Sequence, residues 1–299
     1  MSKQEIIQII QRHTPTDELF ETEIEGIKLF HITSAVPCTP VVYEPTIVAI
    51  VSGSKEAILN GQHHIYNANQ YLCCPTFLPV EAGAPNITPE EPLLGVYISL
   101  STQRMTDLTL AMKQLPYDAR SQQQTTNTGL SLAKWDECFT QALLRVLHLL
   151  DTPMDRHILA EGRLRELYYA VLKGDSGTTV LQAFSVDNTM VKVISYMATH
   201  VQQEITIEEL CRFAGMSRAV FHRQFKQVTT HSPLQFLKAL RLNQAARNIT
   251  EGMNVMQAAE SVGYNSSSQF SREFKRMYGL SPKKWSSSLS IHAHTTDSL

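Results

Sequence analysis

One pattern occurs twice near the C-terminal end of this chain, and it constrains the fold more than any other feature. The first copy runs from Ile207 through Leu210, Cys211 and Ala214 to Gly215, then Ser217, Phe221, Arg223, Phe225 and Lys226, and closes on Ser232-Pro233 and Phe236. The second runs from Val255 to Gly263, then Phe270, Arg272, Phe274 and Lys275, and closes on Ser281-Pro282 and Trp285. Gly215 maps onto Gly263 at a shift of 48, whereas Arg223, Phe225, Lys226 and Pro233 map onto Arg272, Phe274, Lys275 and Pro282 at a shift of 49. The extra residue therefore falls in the turn. A repeat that keeps its apolar spacing, its turn glycine and its basic end is one supersecondary unit used twice.

Each copy has a physical reading. An apolar helix face ends at a glycine, which takes the left-handed conformation that other residues avoid. Ser217 follows as a natural N-cap for a second helix. On that helix Val220 or Phe221, then Phe225, share one face at helical spacing, and Arg218, Ala219, His222, Arg223 and Lys226 lie largely on the other. Two short helices joined by a tight glycine turn make a helix-turn-helix, whose second helix enters the DNA major groove. For a single copy, an ordinary helical hairpin with a solvated basic face is the plain alternative. Two copies in register, each basic on its second helix, point to DNA.

The charge balance agrees once the chain is divided. The net charge of the 299 residues is −2, but from Asn188 onward there are 13 Lys and Arg against 7 Asp and Glu, and before it 13 against 21. The C-terminal part is thus +6 and the rest −8. A basic segment joined to an acidic one fits a nucleic-acid domain attached to something that avoids nucleic acid. The length itself predicts two domains at ~150 residues each. Met1 to Gln8 is amphipathic with no apolar signal core, and no apolar run approaches the ~18 residues of a membrane span. Cys38, Cys73, Cys74, Cys138 and Cys211 are odd in number and lack metal-pair spacing, so they read as reduced thiols. A cytoplasmic protein without membrane contact is the expectation.

Taken in order, residues 1–20 read as a short helix and a lead-in. From Ile24 to Leu100 short apolar runs alternate with turn chemistry: Ile27 to Ile32, Ile47 to Val51, Glu56 to Leu59, His64 to Tyr66, Tyr71 to Cys74 and Leu94 to Leu100. Asn60-Gly61 between two such runs predicts a hairpin, because a type I′ turn needs positive φ twice. Many short strands favour a small antiparallel barrel or sandwich. From Thr102 the period becomes helical, over Met105 to Leu115, Leu130 to Leu150 and Arg156 to Lys173. Trp135, Phe139, Leu143, Val146, Leu147 and Leu150 form a stripe that either packs on the barrel or supplies a dimer face. The run from Lys173 to Thr179 reads as a break, with Val180 to Phe184 helical beyond it. Val191 to Val201 is a lead helix for the DNA-binding part. Pro233 to Ile249 is one amphipathic helix between the two repeats, a strut of roughly 25 Å at ~1.5 Å per residue. The tail after Trp285 is rich in Ser, Thr and His and reads as disordered.

The doubled helix-turn-helix with its linking helix resembles the AraC/XylS family of transcription regulators, most closely over Ala258 to Pro282. Pro37 to Pro45, Ile47 to Gly53 and Glu90 to Leu94 are similar to the N-terminal domain of one subgroup. The resemblance implies an α+β chain. It begins with a cupin-like β-barrel with trailing helices (residues 1–186, barrel about 20–100, helices about 102–184). An all-α DNA-binding domain of two helix-turn-helix units and a linker helix follows (187–288), then a disordered tail (289–299). The family's base-reading positions fall on Arg218, Ala219, His222 and Arg223 in the first unit and on Ser267, Ser268, Ser271 and Arg272 in the second. Ser217, Lys226, Ser266 and Lys275 are the phosphate contacts. The implied partners are double-stranded DNA, RNA polymerase, a second copy of the chain and a small-molecule effector of unknown identity. The chain departs from the family at Ala219, where larger residues often reach bases, and at Thr230-His231, where a glycine is usual and the second copy has Gly279.

No catalytic residue, cofactor or metal is expected. Gly61-Gln62-His63-His64 resembles a fragment of a cupin metal motif but lacks the spacing and the following Glu. Cys73 and Cys74 are adjacent on a presumed strand, so they point to opposite faces. No phosphate loop or nucleophile elbow is present. Two alternatives to an effector-controlled regulator stay open: an enzymatic barrel, and a barrel that only dimerises.

Overall fold

The computed structural model describes residues 2–15, 19–113, 129–185 and 188–293. The chain divides into two compact units, residues 1–38 with 43–191, and residues 39–42 with 192–299. The expected boundary at 186/187 lies outside the described residues.

The first unit opens with helix α1 (Ser2–His13), followed by nine strands: β1 (Leu19–Glu21), β2 (Ile27–Ile32), β3 (Val36–Tyr43), β4 (Thr46–Ser52), β5 (Ser54–Leu59), β6 (Gln62–Asn67), β7 (Gln70–Cys74), β8 (Leu78–Ala84) and β9 (Leu93–Ser99). Then come α2 (Thr102–Lys113), β10 (Ser131–Lys134), α3 (Glu137–His148), α4 (Pro153–Lys173) and α5 (Gly177–Ala183). The expected barrel is two sheets rather than a closed cylinder: a six-stranded sheet in the order β1-β2-β9-β4-β7-β10 and a four-stranded sheet in the order β3-β8-β5-β6. Pro37 and Pro40 explain why β3 lies at an edge, since proline cannot donate to a ladder on both sides. The β5–β6 hairpin turns at Asn60 (φ 53) and Gly61 (φ 73), both positive as the type I′ turn demands.

Alternation along the strands sorts the side chains of the six-stranded sheet into two layers. Ile27, Leu29, Ile47, Ala49, Tyr71, Cys73, Val96 and Ile98 join one buried cluster with α1, α3 and α4. Phe139 of α3 stacks on Tyr71 at 4.5 Å. The intervening residues, among them Phe30, Val48, Leu72, Cys74 and Tyr97, face the other way, toward the four-stranded sheet. Gly95, opposite Phe30 in the register, leaves room for its ring: a Cβ there would lie 2.3 Å from the Phe30 Cζ. Cys73 and Cys74 point to opposite faces, as adjacency on a strand requires. Both are fully buried, and burial pushes both thiols up, Cys74 to about 12.

The helix expected over Leu130 to Leu150 is corrected at its start. Ser131–Lys134 forms β10, paired antiparallel with β7 from Ser131↔Cys73 to Lys134↔Gln70, and α3 begins only at Glu137, capped by Asp136. Its stripe residues Phe139, Leu143, Val146, Leu147 and Leu150 are buried within the same unit. They are therefore spent on internal packing. Residues 114–115, placed in a helix by the sequence pattern, lie outside the described residues.

α6 (Thr189–Thr199) begins in the first unit and runs into the second, where further helices follow: α7 (Ile207–Ala214), α8 (Arg218–Thr229), α9 (Pro233–Thr250), α10 (Val255–Ser261), α11 (Ser267–Tyr278) and α12 (Pro282–Ala293). The backbone of 289–293, expected to be disordered, continues α12, and 294–299 lie outside the described residues. The linker α9 spans 18 residues, about 27 Å at ~1.5 Å per residue.

Candidate nucleic-acid interface

Each recognition helix is held by the same local devices. In the first copy Thr206 and Glu209 form a reciprocal capping box, with Glu209 N to Thr206 Oγ1 at 3.2 Å and Thr206 N to Glu209 Oε2 at 2.9 Å. Hydrogen bonds from the Thr206 backbone N–H and side chain hold the Glu209 carboxyl below its ordinary value. Helix α7 then ends at Gly215 in the left-handed conformation (φ 64). In the second copy Asn254 caps α10 through Gln257 N at 2.9 Å, and Gly263 takes φ 82. From Gly215 to the N-cap Ser217 is two residues and from Gly263 to the N-cap Ser266 is three, so the turn absorbs the shift from 48 to 49. The serines differ in use. Ser266 accepts from Gln269 N at 3.3 Å, whereas the Ser217 side chain makes no capping bond.

Aromatic pairs fix the inner faces. Phe221, Phe225, Phe270 and Phe274 are all fully buried. Phe225 meets Phe236 of α9 edge-on at 5.3 Å, and Phe274 meets Tyr278 and Trp285 at 4.6 and 5.9 Å. With these faces pinned, helical geometry dictates what faces outward. Positions 218, 219, 222, 223 and 226 of α8 fall within an arc of about 140° at ~100° per residue. Positions 267, 268, 271, 272 and 275 of α11 repeat the same offsets. Arg218, Ala219, Arg223, Lys226, Ser267, Ser268, Arg272 and Lys275 are exposed, as are Ser217 and Ser266; His222 and Ser271 are half-buried. The structure thus brings the predicted base-reading residues of each copy onto one outward face.

The cations on these faces are little engaged. Arg218 lies 3.4 Å from Glu208 with both side chains well exposed, a pairing worth little in water. Arg272 donates through Nε to Ser268 O at 3.3 Å, on its own helix. Arg223, Lys226 and Lys275 have no ion pair among the described residues. The one acid between Ser267 and Tyr278, Glu273, is turned away. It binds Lys238 of α9 at 2.8 Å and accepts from the Tyr264 hydroxyl at 2.7 Å. Partial burial alone would raise its carboxyl, but hydrogen bonds from Lys238, Tyr264 and Gln269 outweigh it and hold the group below its ordinary value. Removing that negative charge from the face is a role that repeat reasoning missed in Lys238 and Tyr264.

Two departures of one copy from the other have structural consequences. Thr230 ends α8 with φ 66, where the second copy has Gly279 with φ 75. A β-branched residue in that conformation carries roughly 1–2 kcal/mol of strain. Arg276, Lys283 and Lys284 are exposed cations whose counterparts in the first copy are Gln227, Leu234 and Gln235. The signal was present as a departure from the repeat.

In the first unit the cupin-like fragment divides. His63 meets Glu56 on the outer face of β5–β6, while His64 faces inward. Among the described residues no group of three or more His, Cys, Asp or Glu is arranged to hold a metal ion.

Residues 23–179, more than half of the chain, match the family described as AraC-type transcriptional regulator N-terminus, and residues 210–288 match a helix-turn-helix domain family. The chain belongs to the AraC-type family of transcriptional regulators. This AraC-type regulator is 29% identical over 159 residues to the raffinose operon transcriptional regulatory protein RafR of Pediococcus pentosaceus, covering 50% of this chain and 54% of that one. It is 42% identical over 81 residues to the RCS-specific HTH-type transcriptional activator RclR of Escherichia coli K12, covering 27% of this chain and 28% of that one. It therefore spans about half or less of the length of these curated relatives. Among solved structures it is similar to unsaturated fatty acid bound ToxT of Vibrio cholerae, with a TM-score of 0.63 at 12% identity over 87% of this chain and 94% of ToxT. That likeness is one of fold: a sheet-rich N-terminal part followed by a helical helix-turn-helix part.

Proposed function

We propose that this AraC-type regulator binds double-stranded DNA sequence-specifically through α8 and α11, acting on RNA polymerase at the promoters it recognises. The observation that carries this reading is the pair of outward faces at identical offsets, each bearing an arginine and a lysine one turn apart. Arg223 and Arg272 have the planar fork that pairs bidentately with guanine, and Lys226 and Lys275 serve as point charges for phosphate. Arg218, His222, Ser267, Ser268 and Ser271 read base edges beside them, Ala219 contacts a thymine methyl, and Ser217 and Ser266 add phosphate contacts. The free Ser217 hydroxyl is the better placed of the two serines, since that of Ser266 is already engaged in its cap.

The test begins with selection of bound sequences from a random DNA pool at fixed salt, which supplies the operator. On that operator Arg223→Ala is expected to lose about 5- to 150-fold in preference over random DNA, with little change in affinity for random DNA itself. Lys226→Ala is expected to weaken both DNAs alike and to reduce the salt slope by about one. Equal losses on operator and random DNA for both variants would overturn the assignment.

The first unit is proposed as the sensing and dimerisation part, residues 1–186, controlling a DNA-binding part at 187–288. The ToxT structure with a bound fatty acid supports small-molecule control in a fold of this kind. Among the described residues no helix is long and apolar enough to cross a membrane, which is compatible with action on DNA in the cytoplasm. Since the α3 stripe is consumed internally, the homodimer is assigned to α4. There Met154, Ile158 and Tyr169 are exposed along one side, and Gly162 between them opens onto free space. Ile158→Glu places a charge at the centre of that row. Light scattering is expected to show a dimer for the parent protein and a single chain for the variant; a dimer in both would remove α4 from the interface.

A further inference from the structure

A half-buried lysine reaches in between the two sheets of the first unit. The β5–β6 register sets Lys55 directly opposite Tyr66, and directly opposed residues share a face. Tyr66 is 0% exposed, so this face is the inner one. From it the Lys55 ammonium donates to the Tyr97 hydroxyl on the six-stranded sheet. It lies 4.6 Å from the Tyr97 ring centroid and 5.8 Å from those of Tyr43 and Phe30. Three ring faces favour the charged form of an amine. Yet among the described residues no carboxylate is within ion-pair distance of Lys55. The one acid beside it in sequence, Glu56, points to the opposite face, where it meets His63 and lies 3.6 Å from the Cys38 thiol.

The cation lacks a counter-ion, and the polar groups around it lack partners. The hydroxyls of Tyr43, 6% exposed, and Tyr66 are buried without a hydrogen-bond partner. So is Nε2 of His64, two residues from Tyr66 and on the same face. Burial pushes the Tyr43 phenol up to about 12 and that of Tyr66 well above its ordinary value, so both remain neutral donors at physiological pH. Buried polar groups in folded proteins are ordinarily satisfied, and an unpaired buried charge is costlier still. An ammonium held by a phenol but by no counter-ion, beside two phenol hydroxyls without a partner, describes a site complementary to an acceptor that is itself charged. A carboxylate has that character, with two oxygens that accept from several donors at once. The surrounding Phe30, Val48 and Leu72 are apolar and suit a hydrocarbon or aromatic body.

We propose that Lys55, Tyr43, Tyr66 and Tyr97 form the recognition site for the carboxylate of a small organic acid with an apolar body, the effector of this regulator. The assignment deepens the proposed effector control and rests on that reading only for its consequence at DNA. Binding itself is read separately.

The test uses the full-length protein with acetate, octanoate, palmitate and benzoate, their neutral counterparts octanol and benzyl alcohol, and inorganic phosphate, in thermal-shift and calorimetric titrations. At least one of the carboxylates with an apolar body is expected to bind and raise the melting temperature, while its alcohol, acetate and phosphate do not. Lys55→Met is expected to weaken that binding by at least about tenfold, as loss of one partner of a buried charge pair does. It is also expected to leave the melting temperature of the ligand-free protein unchanged or higher, because a charge without a counter-ion has been removed. Tyr43→Phe and Tyr66→Phe, which delete only an unpartnered hydroxyl, should weaken binding without lowering ligand-free stability, and they decide the matter if Lys55→Met fails to fold. Absence of binding by every carboxylate, equal binding by acids and alcohols, or full binding by all three variants would overturn the site. Carboxylate binding that leaves operator affinity unchanged would retain the site and overturn effector control.

Discussion

Replacing Phe274 by alanine is expected to destabilise the second unit by about 3–5 kcal/mol, the range for removing a fully buried phenylalanine. Its ring is 0% exposed and contacts Phe270, Tyr278 and Trp285 within 5.9 Å, so it ties α11 to α12 and, through the cluster with Leu242, Ala245 and Ile249, to α9. No neighbour can collapse into the void without releasing another of these contacts. Against a total stability of about 5–15 kcal/mol, such a loss leaves α11 melted in a large fraction of molecules near physiological temperature. The chain has two tryptophans, Trp135 in the first unit and Trp285 in the second. A urea titration followed by Trp285 fluorescence in a Trp135→Phe background therefore reads the second unit. The transition should move to much lower urea, and sequence-specific DNA binding should fall with it. Phe274→Leu, which keeps most of the volume, should cost far less. An unchanged midpoint for Phe274→Ala would show that this cluster does not hold α11.

Gly263→Ala is expected to be the more damaging of the two turn-glycine substitutions, although Gly215 and Gly263 occupy the same place in the repeat. Both have positive φ, 64 and 82, so alanine at either incurs roughly 1–2 kcal/mol of left-handed strain. At Gly215 nothing lies within 4 Å of where a Cβ would stand, and strain is the whole cost. At Gly263 the Cβ would lie 2.7 Å from Gln202 O and 3.3 Å from the Arg241 guanidinium. That segment cannot easily withdraw, because Arg241 holds it on both sides, donating to Val201 O at 2.8 Å and Gln203 O at 2.7 Å. Overpacking of this kind adds about 1–3 kcal/mol. The same titration should give Gly263→Ala at least about twice the loss of Gly215→Ala. Equal losses would mean that the loop from Val201 to Gln203 yields.

The helical unit was almost wholly legible because its determinants are local. Turn glycines, serine caps, the Ser-Pro start of α9, and apolar residues three and four apart act within one or two turns of helix, and duplication supplied an internal check. The hairpin at Asn60-Gly61 was legible for the same reason. So were the outward residues of α8 and α11, since burying Phe221, Phe225, Phe270 and Phe274 leaves helical geometry no other placement for them.

What the residues left open was settled at a distance. Leu132 and Trp135 have helical spacing relative to Phe139, yet Ser131–Lys134 became a strand because the edge of β7 offered hydrogen bonds that a helix there would leave unmade. Thr230 adopted a conformation that its side chain disfavours because the packing on either side of it, Phe225 on Phe236, fixed the course of the chain. Lys55 sits in a polar run, Ser54-Lys55-Glu56, that carries no local sign of burial. Only the stacking of one sheet on the other turned it against Tyr97. Local periodicity specifies which helices and hairpins form and which of their faces are apolar. Which sheet edge is paired, and which polar side chain is enclosed, depends on contacts between residues far apart in the chain, and those exist only once the layers have closed.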